Sequence, residues 1–180
     1  MQNANVGIQD KEAGGLILNC AKFDQVGGLS SRETLFEAGE MLFQNALRGH
    51  LALSTVMVRI DDFEHLVREY GYEAGVRALN VVGSTLKTRF RRSDLVAYYG
   101  HDIFCILAVN LAPEYLSNIG KECQRLVRQK QFPIRGEQLG CTISVGGLAQ
   151  IADTFTHTIH KAKALLELSG RIAKNCTIIR

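Results

Sequence analysis

Residues 94–107 read DLVAYYGHDIFCIL. Two apolar runs, 95–99 and 103–109, flank the polar triplet Gly100-His101-Asp102. A glycine-bearing turn between β-prone runs is a hairpin signal. An imidazole beside a carboxylate at the tip of a hairpin has the parts of a general acid–base pair. Asp61-Asp62 is a second candidate, a paired-carboxylate site. His157 and His160, three apart on a helical pattern, share a face and are a third, as metal ligands. No third ligand is evident in the sequence, so the two histidines read as a surface pair.

The elements that must carry these residues follow from periodicity. A short helix is expected over residues 16–23, after a polar start. Ser30-Ser31-Arg32-Glu33 fits a capping box, and Leu35, Ala38, Leu42 and Ala46 follow at helical spacing. LALSTVMVRI, 51–60, is β-rich and reads as a central strand. Leu79, Val82, Leu86 and Phe90 mark a second helix, and the hairpin comes next. Leu116, Ile119, Cys123 and Leu126 mark a third helix. CTISVGGLA, 141–149, is a strand, with a short partner expected near 132–134. Phe155, Ile159, Ala162 and Leu166 mark a last helix, and CTII, 176–179, closes the sheet. Strands alternating with amphipathic helices predict an α/β (α+β) layered domain. The tight hairpin makes its sheet mixed, with a ferredoxin-like core the natural arrangement.

Composition narrows the class. The chain has 180 residues, 46% of them hydrophobic and 22% charged, and a net charge of +3. That balance suits one globular domain and is too mild to argue for nucleic acid. No apolar run has the length of a membrane span, and the first residues lack the basic and apolar regions of a signal peptide. Five cysteines without a CxxC pair read as buried thiols, which makes the cytoplasm the expected location.

Four landmarks carry a resemblance. DQVGGLSSR (24–32) resembles the D-x-L-T-G-L-x-N-R opening of GGDEF domains. VRIDDFEHLVREYGYEAG (58–75) resembles their D-I-D-x-F-K-x-I-N-D-x-Y-G-H-x-x-G segment. RRSDLVAYYGHDIF (91–104) resembles R-x-x-D-L-V-A-R-Y-G-G-D-E-F, and TISVGGLA (142–149) resembles T-x-S-I-G-V-A. Order and spacing match from about residue 23 to 180, leaving 1–22 as a lead segment with its short helix. The resemblance implies a GGDEF, nucleotidyl-cyclase palm-like fold: a central mixed sheet of about five strands flanked by helices. GGDEF domains are typically diguanylate cyclases, in which two GTP-loaded domains meet and carboxylate-held magnesium assists the joining of two GTPs into cyclic di-GMP.

Position by position, the catalytic parts are missing. The first metal aspartate falls at Arg59, a fixed cation that repels Mg²⁺. The phosphate-contacting lysine falls at Glu64. The residues that read guanine fall at Val67 and Val76, which cannot hydrogen-bond a base edge. The signature reads Gly100-His101-Asp102-Ile103-Phe104, with an imidazole for its second glycine and an isoleucine for its second acid. A later phosphate lysine falls at Gly170, while Lys174 matches the last basic position. Asp61 matches an aspartate that is often structural, and Asp62 reads as solvated. Arg59 is expected to salt-bridge Asp102 where the family holds metal. No Mg²⁺, cofactor or catalytic residue is therefore expected.

One family site is kept. Arg91-x-x-Asp94, five residues before the signature, resembles the inhibitory site that binds cyclic di-GMP. An arginine fork matches guanine O6 and N7, and a carboxylate accepts from N1–H and N2–H₂. The resemblance adds a second arginine from the next helix, best matched by Arg125, and Arg92 adds attraction for phosphate. The competing reading is a helix-end charge cluster in which Asp94 pairs with Arg91. The resemblance thus implies an inactive, degenerate GGDEF domain that receives cyclic di-GMP, with Arg91, Asp94, Arg125 and Arg92 as its site. The alternative is a ligand-independent dimerisation or docking module within a larger bacterial signalling protein. Expected partners are cyclic di-GMP, a possible second copy, and other domains or proteins of a signalling system. Non-catalytic GTP binding is disfavoured by Val67 and Val76.

Overall fold

A computed structural model describes residues 26–180. The helix expected at 16–23 lies outside the described residues. In chain order the elements are α1 (Arg32–Leu47), β1 (Leu53–Ile60), α2 (Phe63–Tyr70), α3 (Tyr72–Arg89), β2 (Leu95–Gly100), β3 (Ile103–Val109), α4 (Pro113–Arg128), β4 (Phe132–Ile134), β5 (Glu137–Leu139), β6 (Ile143–Leu148), α5 (Phe155–Ile172) and β7 (Thr177–Ile179). Among the described residues, five strands form the main sheet in the order β2-β3-β1-β6-β7. The first four pair antiparallel, and β7 joins β6 parallel through the α5 crossover. The sheet is therefore mixed and its core is ferredoxin-like, as the sequence predicts.

Period-two alternation along β1 explains the layering. Val56, Val58 and Ile60 face α2, α3 and α4, where Phe63, Leu79, Val82, Leu86 and Leu116 complete one core. Leu53 and Met57 face the other side, packing with Leu35 and Phe43 of α1 and Phe155, Ile159 and Leu166 of α5. Arg59 follows Met57 in this alternation and so belongs to the α5 side of the sheet. Gly146 lets α5 lie directly on β6: a Cβ there would stand 2.1 Å from the Leu166 nitrogen.

Four local expectations need correcting. The N-cap of α1 is Ser31, whose hydroxyl accepts from Thr34 N–H, and not Ser30. Ser30 is held by backbone bonds to Val96 and Tyr98 at the sheet edge, so it is unavailable as a cap. The buried centre of α1 is Leu35-Gly39-Phe43, one residue from the predicted stripe after its first turn. Residues 132–134 pair with β5, not β6, because Arg135 and Gly136, both at positive φ, turn the chain back at once. Finally, α2 is a separate helix: Gly71, at φ 86°, breaks it from α3.

Candidate functional site

The β2–β3 hairpin carries the signature to one end of the sheet. Gly100 sits at φ 124° and His101 at φ 57°, left-handed conformations that close the turn. His101 is held there by its neighbours. Its carbonyl accepts from the Tyr98 hydroxyl at 2.9 Å, and its ring meets Phe63 edge-on at 5.7 Å. Its Nδ1 lies 3.0 Å from Asp102 Oδ1.

The other oxygen of Asp102 lies 4.0 Å from Arg59 Nε, the outer limit of an ion pair. The two come together because Arg59 pairs with Ile103 in the β1–β3 ladder, and Ile60 N–H donates to the Asp102 carbonyl. Gly170 of α5 lies beside the guanidinium, where a Cβ would stand in ordinary contact 3.7 Å from Nη1. These groups line an open cleft of about 650 Å³, together with Glu64 and Lys174.

Asp61 has a different job. It accepts from Thr142 and Ser144 hydroxyls, both at 2.7 Å, and from Asn175 N–H at 2.8 Å. The carboxylate thereby ties the end of β1 to β6 and to the loop before β7. Asp62 is ion-paired to Lys174 rather than simply solvated. Among the described residues no three His, Cys, Asp or Glu side chains are grouped to hold a metal ion. His157 pairs with Asp153, one turn earlier, at 3.4 Å. Burial pushes the Cys123 and Cys141 thiols up to about 12 and Cys105 higher still, so these three are inert at neutral pH.

A second site lies at the start of β2. Asp94 Oδ2 accepts from the Arg91 backbone N–H at 2.9 Å, and Oδ1 accepts from Val109 N–H at 3.0 Å. The aspartate thus pins the α3–β2 turn to the end of β3. The Arg91–Asp94 salt bridge of the competing reading is not formed. Arg91 keeps its guanidinium without a hydrogen-bond or ion-pair partner among the described residues. Two cavities adjoin this turn. One, of about 280 Å³, is lined by Arg89, Arg91, Asp94, Leu111, Tyr115 and Ile119 among others. The second, of about 410 Å³, includes Lys87, Arg91, Arg92 and Asp94.

Arg125 does not line either cavity; it bonds Gln129 one turn further along α4. The face that α4 offers is instead Tyr115, Asn118 and Ile119, at helical spacing. Below them Glu122 grips Arg89 of α3, with Nε and Nη2 2.7 and 2.6 Å from its Oε2. Sequence reasoning missed Arg89 and Tyr115. The 115/118/119/122 spacing carried the signal, but only the packing of α3 on α4 shows which face meets Arg91.

The ferredoxin-like core extended by β7, with a hairpin tip over a cleft at one end, defines a nucleotidyl-cyclase palm-like domain. The chain belongs to the GGDEF family: the family model described as diguanylate cyclase, GGDEF domain, matches residues 21–176. It is 31% identical over 129 residues to the cyclic di-GMP phosphodiesterase NbdA of Pseudomonas aeruginosa, covering 70% of this chain and 16% of that protein. It is 26% identical to diguanylate cyclase A of Treponema denticola, covering 66% of this chain and 31% of that one. The matched stretch is thus less than a third of the length of either relative. Among solved structures, diguanylate cyclase SiaD of P. aeruginosa, in complex with its activator SiaC, superposes with a TM-score of 0.82 at 23% identity, covering 92% of this chain and 64% of that one. The GGDEF domain of DgcB from Caulobacter crescentus, in complex with c-di-GMP, gives 0.81 at 18% identity, covering 86% and 92%. At these identities the superpositions establish the fold.

Proposed function

We propose that this GGDEF domain does not turn over GTP and instead receives cyclic di-GMP at Arg91 and Asp94. The observation that carries the reading is the free Arg91 guanidinium at the border of two cavities, beside a fixed carboxylate. The arginine fork suits guanine O6 and N7, and Asp94 keeps lone pairs for N1–H and N2–H₂ after its two backbone bonds. Arg92 and Lys87 place further cationic charge near the phosphates. A DgcB domain of the same fold is described with c-di-GMP bound, which adds support by analogy.

The absence of turnover rests on the cleft. Arg59 stands where the family's metal carboxylate falls, its guanidinium beside Asp102. Glu64 stands where a phosphate lysine falls, and buried Val67 packs in the core. The output of ligand binding is then a changed domain orientation or partner contact. Isothermal titration with cyclic di-GMP, on the wild type and on Arg91→Ala, tests the receptor reading. Micromolar binding by the wild type and its loss in the variant support it; no binding at tens of micromolar ends it.

One observation favours the second reading, a ligand-independent interaction module. Leu168 and Ile172 lie four apart on α5 and are 38% and 64% exposed, an apolar pair on one helix face. Self-association that depends on concentration and ignores cyclic di-GMP in sedimentation would favour that reading.

A further inference from the structure

We infer that Arg89 is a second ligand-binding guanidinium of the Arg91–Asp94 site, and that Glu122 occupies it in the free domain until an anionic phosphodiester displaces the carboxylate. This inference rests on the receptor reading above and adds to it a contact residue and a rival for that residue.

Three observations carry it. Arg89 and Arg91 line the same cavity of about 280 Å³, whereas Arg125 does not. Arg89 contacts one carboxylate oxygen of Glu122, through Nε and Nη2. That leaves the guanidinium's Nη1 without a partner among the described residues. The pair is also accessible, with Arg89 30% and Glu122 40% exposed, so a ligand can reach it from solvent.

Exchange chemistry favours a phosphodiester. A guanidinium pairs with carboxylate and phosphate through the same planar donors. Replacing Glu122 by a phosphodiester oxygen keeps the arginine's charge-assisted bonds and lets the freed carboxylate rehydrate. Around the turn, Lys87, Arg89, Arg91 and Arg92 outnumber Asp94 and Glu122. A cyclic dinucleotide brings two negative charges, which this excess attracts and which Glu122 opposes.

The ion pair also tethers α3 to α4, so a purely structural role must be separated from contact. Arg89→Ala and Glu122→Ala break the same tether. If Arg89 touches the ligand, Arg89→Ala weakens cyclic di-GMP binding by about tenfold or more, as loss of a charged contact does. Glu122→Ala then binds at least as tightly as the wild type, because the rival charge has gone. Thermal melts without ligand identify any loss of fold, and Arg89→Gln, which keeps a donor near Glu122, repeats the test should the alanine variant unfold. Equal weakening in Arg89→Ala and Glu122→Ala overturns the inference, as does unchanged affinity in the arginine variants. Either result leaves wild-type binding intact and the receptor reading standing. A wild type that fails to bind overturns both.

Discussion

Arg59 stands across the β1–β3 ladder from Asp102, its Nε 4.0 Å from the carboxylate's Oδ2, while His101 holds the other oxygen at 3.0 Å. A carboxylate bracketed by a guanidinium and an imidazole makes a poor ligand for a divalent cation, because the fixed charge repels the ion. At this separation, and with Arg59 30% exposed, the pair itself contributes little stability.

The first prediction tests that arrangement. Arg59→Asp places a second carboxylate opposite Asp102, where the family resemblance puts metal. Added Mg²⁺ should raise the melting temperature of this variant and leave the wild type unmoved. GTP turnover should stay absent in both, since Glu64, Val67 and Val76 remain. Wild-type conversion of GTP to cyclic di-GMP, followed by chromatography, would refute the inactive reading.

Asp61 is expected to act through stability alone. Asp61→Ala removes the acceptor for two hydroxyls and the Asn175 N–H. Stranding several polar groups at a half-buried position costs about 3 kcal/mol. Urea unfolding should show a loss of that size, with Asp62→Ala, which breaks only the exposed pair to Lys174, within about 1 kcal/mol of the wild type.

These two neighbours show how far the sequence could be read. The resemblance suggested a structural role for Asp61, but its partners at 142, 144 and 175 come together only when β6 and the loop before β7 reach the end of β1. Asp62 read as solvated because Lys174 is far away in the chain. Long apolar periodicities were legible: Leu79, Val82 and Leu86 are buried in α3, and Phe155, Ile159 and Leu166 in α5. The short elements were not. Helix α2 has only Phe63 and Val67 as its buried stripe, and β5 offers Glu137-Gln138 with no apolar alternation. At the candidate site, it is the family resemblance that singles out Arg91 and Asp94, since R-x-x-D alone is too common a spacing to do so. The sequence does not single out Arg89, because its pairing with Glu122 crosses a helix–helix contact.

Close approach of α5 to β6 makes Gly146 a point of high sensitivity. A methyl group there would strike Leu166 backbone at 2.1 and 2.5 Å. The helix cannot retreat without uncovering the core and moving Gly170 away from Arg59. Gly146→Ala should therefore destabilise by at least about 3 kcal/mol, the upper end of overpacking effects. Gly120→Ala meets first the Thr177 Cγ2 at 2.9 Å, a side-chain atom with some freedom, and should cost less. Chemical denaturation of the two variants makes the comparison.

Alkaline pH should weaken the fold through its thiols. Burial holds Cys123 and Cys141 up to about 12, whereas an unfolded thiol ionises near ~8.5. Above that value the unfolded chain releases protons that the folded chain keeps. Stability from these groups is thus complete below ~8.5 and falls as pH rises towards about 12, by up to ~1.4 kcal/mol per pH unit per thiol. Unfolding free energies at pH 7 and pH 10 should differ less in a Cys123→Ala, Cys141→Ala double variant than in the wild type. An identical pH dependence would count against burial of these thiols.

Ligand tests at the Arg91 site depend on choosing the right residue. Asp94 bonds both Arg91 N–H and Val109 N–H, so Asp94→Ala loosens the turn whether or not anything binds. Its cost should be about 2 kcal/mol in urea unfolding without ligand. Asp94→Asn keeps one oxygen acceptor and should lose less. The Arg91 side chain has no partner among the described residues, so Arg91→Ala should hold its stability within about 0.5 kcal/mol. Loss of cyclic di-GMP binding in a stably folded Arg91→Ala therefore reports on recognition, whereas the same loss in Asp94→Ala combines recognition with a displaced turn. Measured together, Asp94→Asn should keep one of the two turn bonds and bind more weakly than the wild type, because a neutral amide replaces the acceptor pair that guanine N1–H and N2–H₂ require. Full-strength binding by Asp94→Asn would take Asp94 out of the ligand site and leave it as the turn's anchor alone.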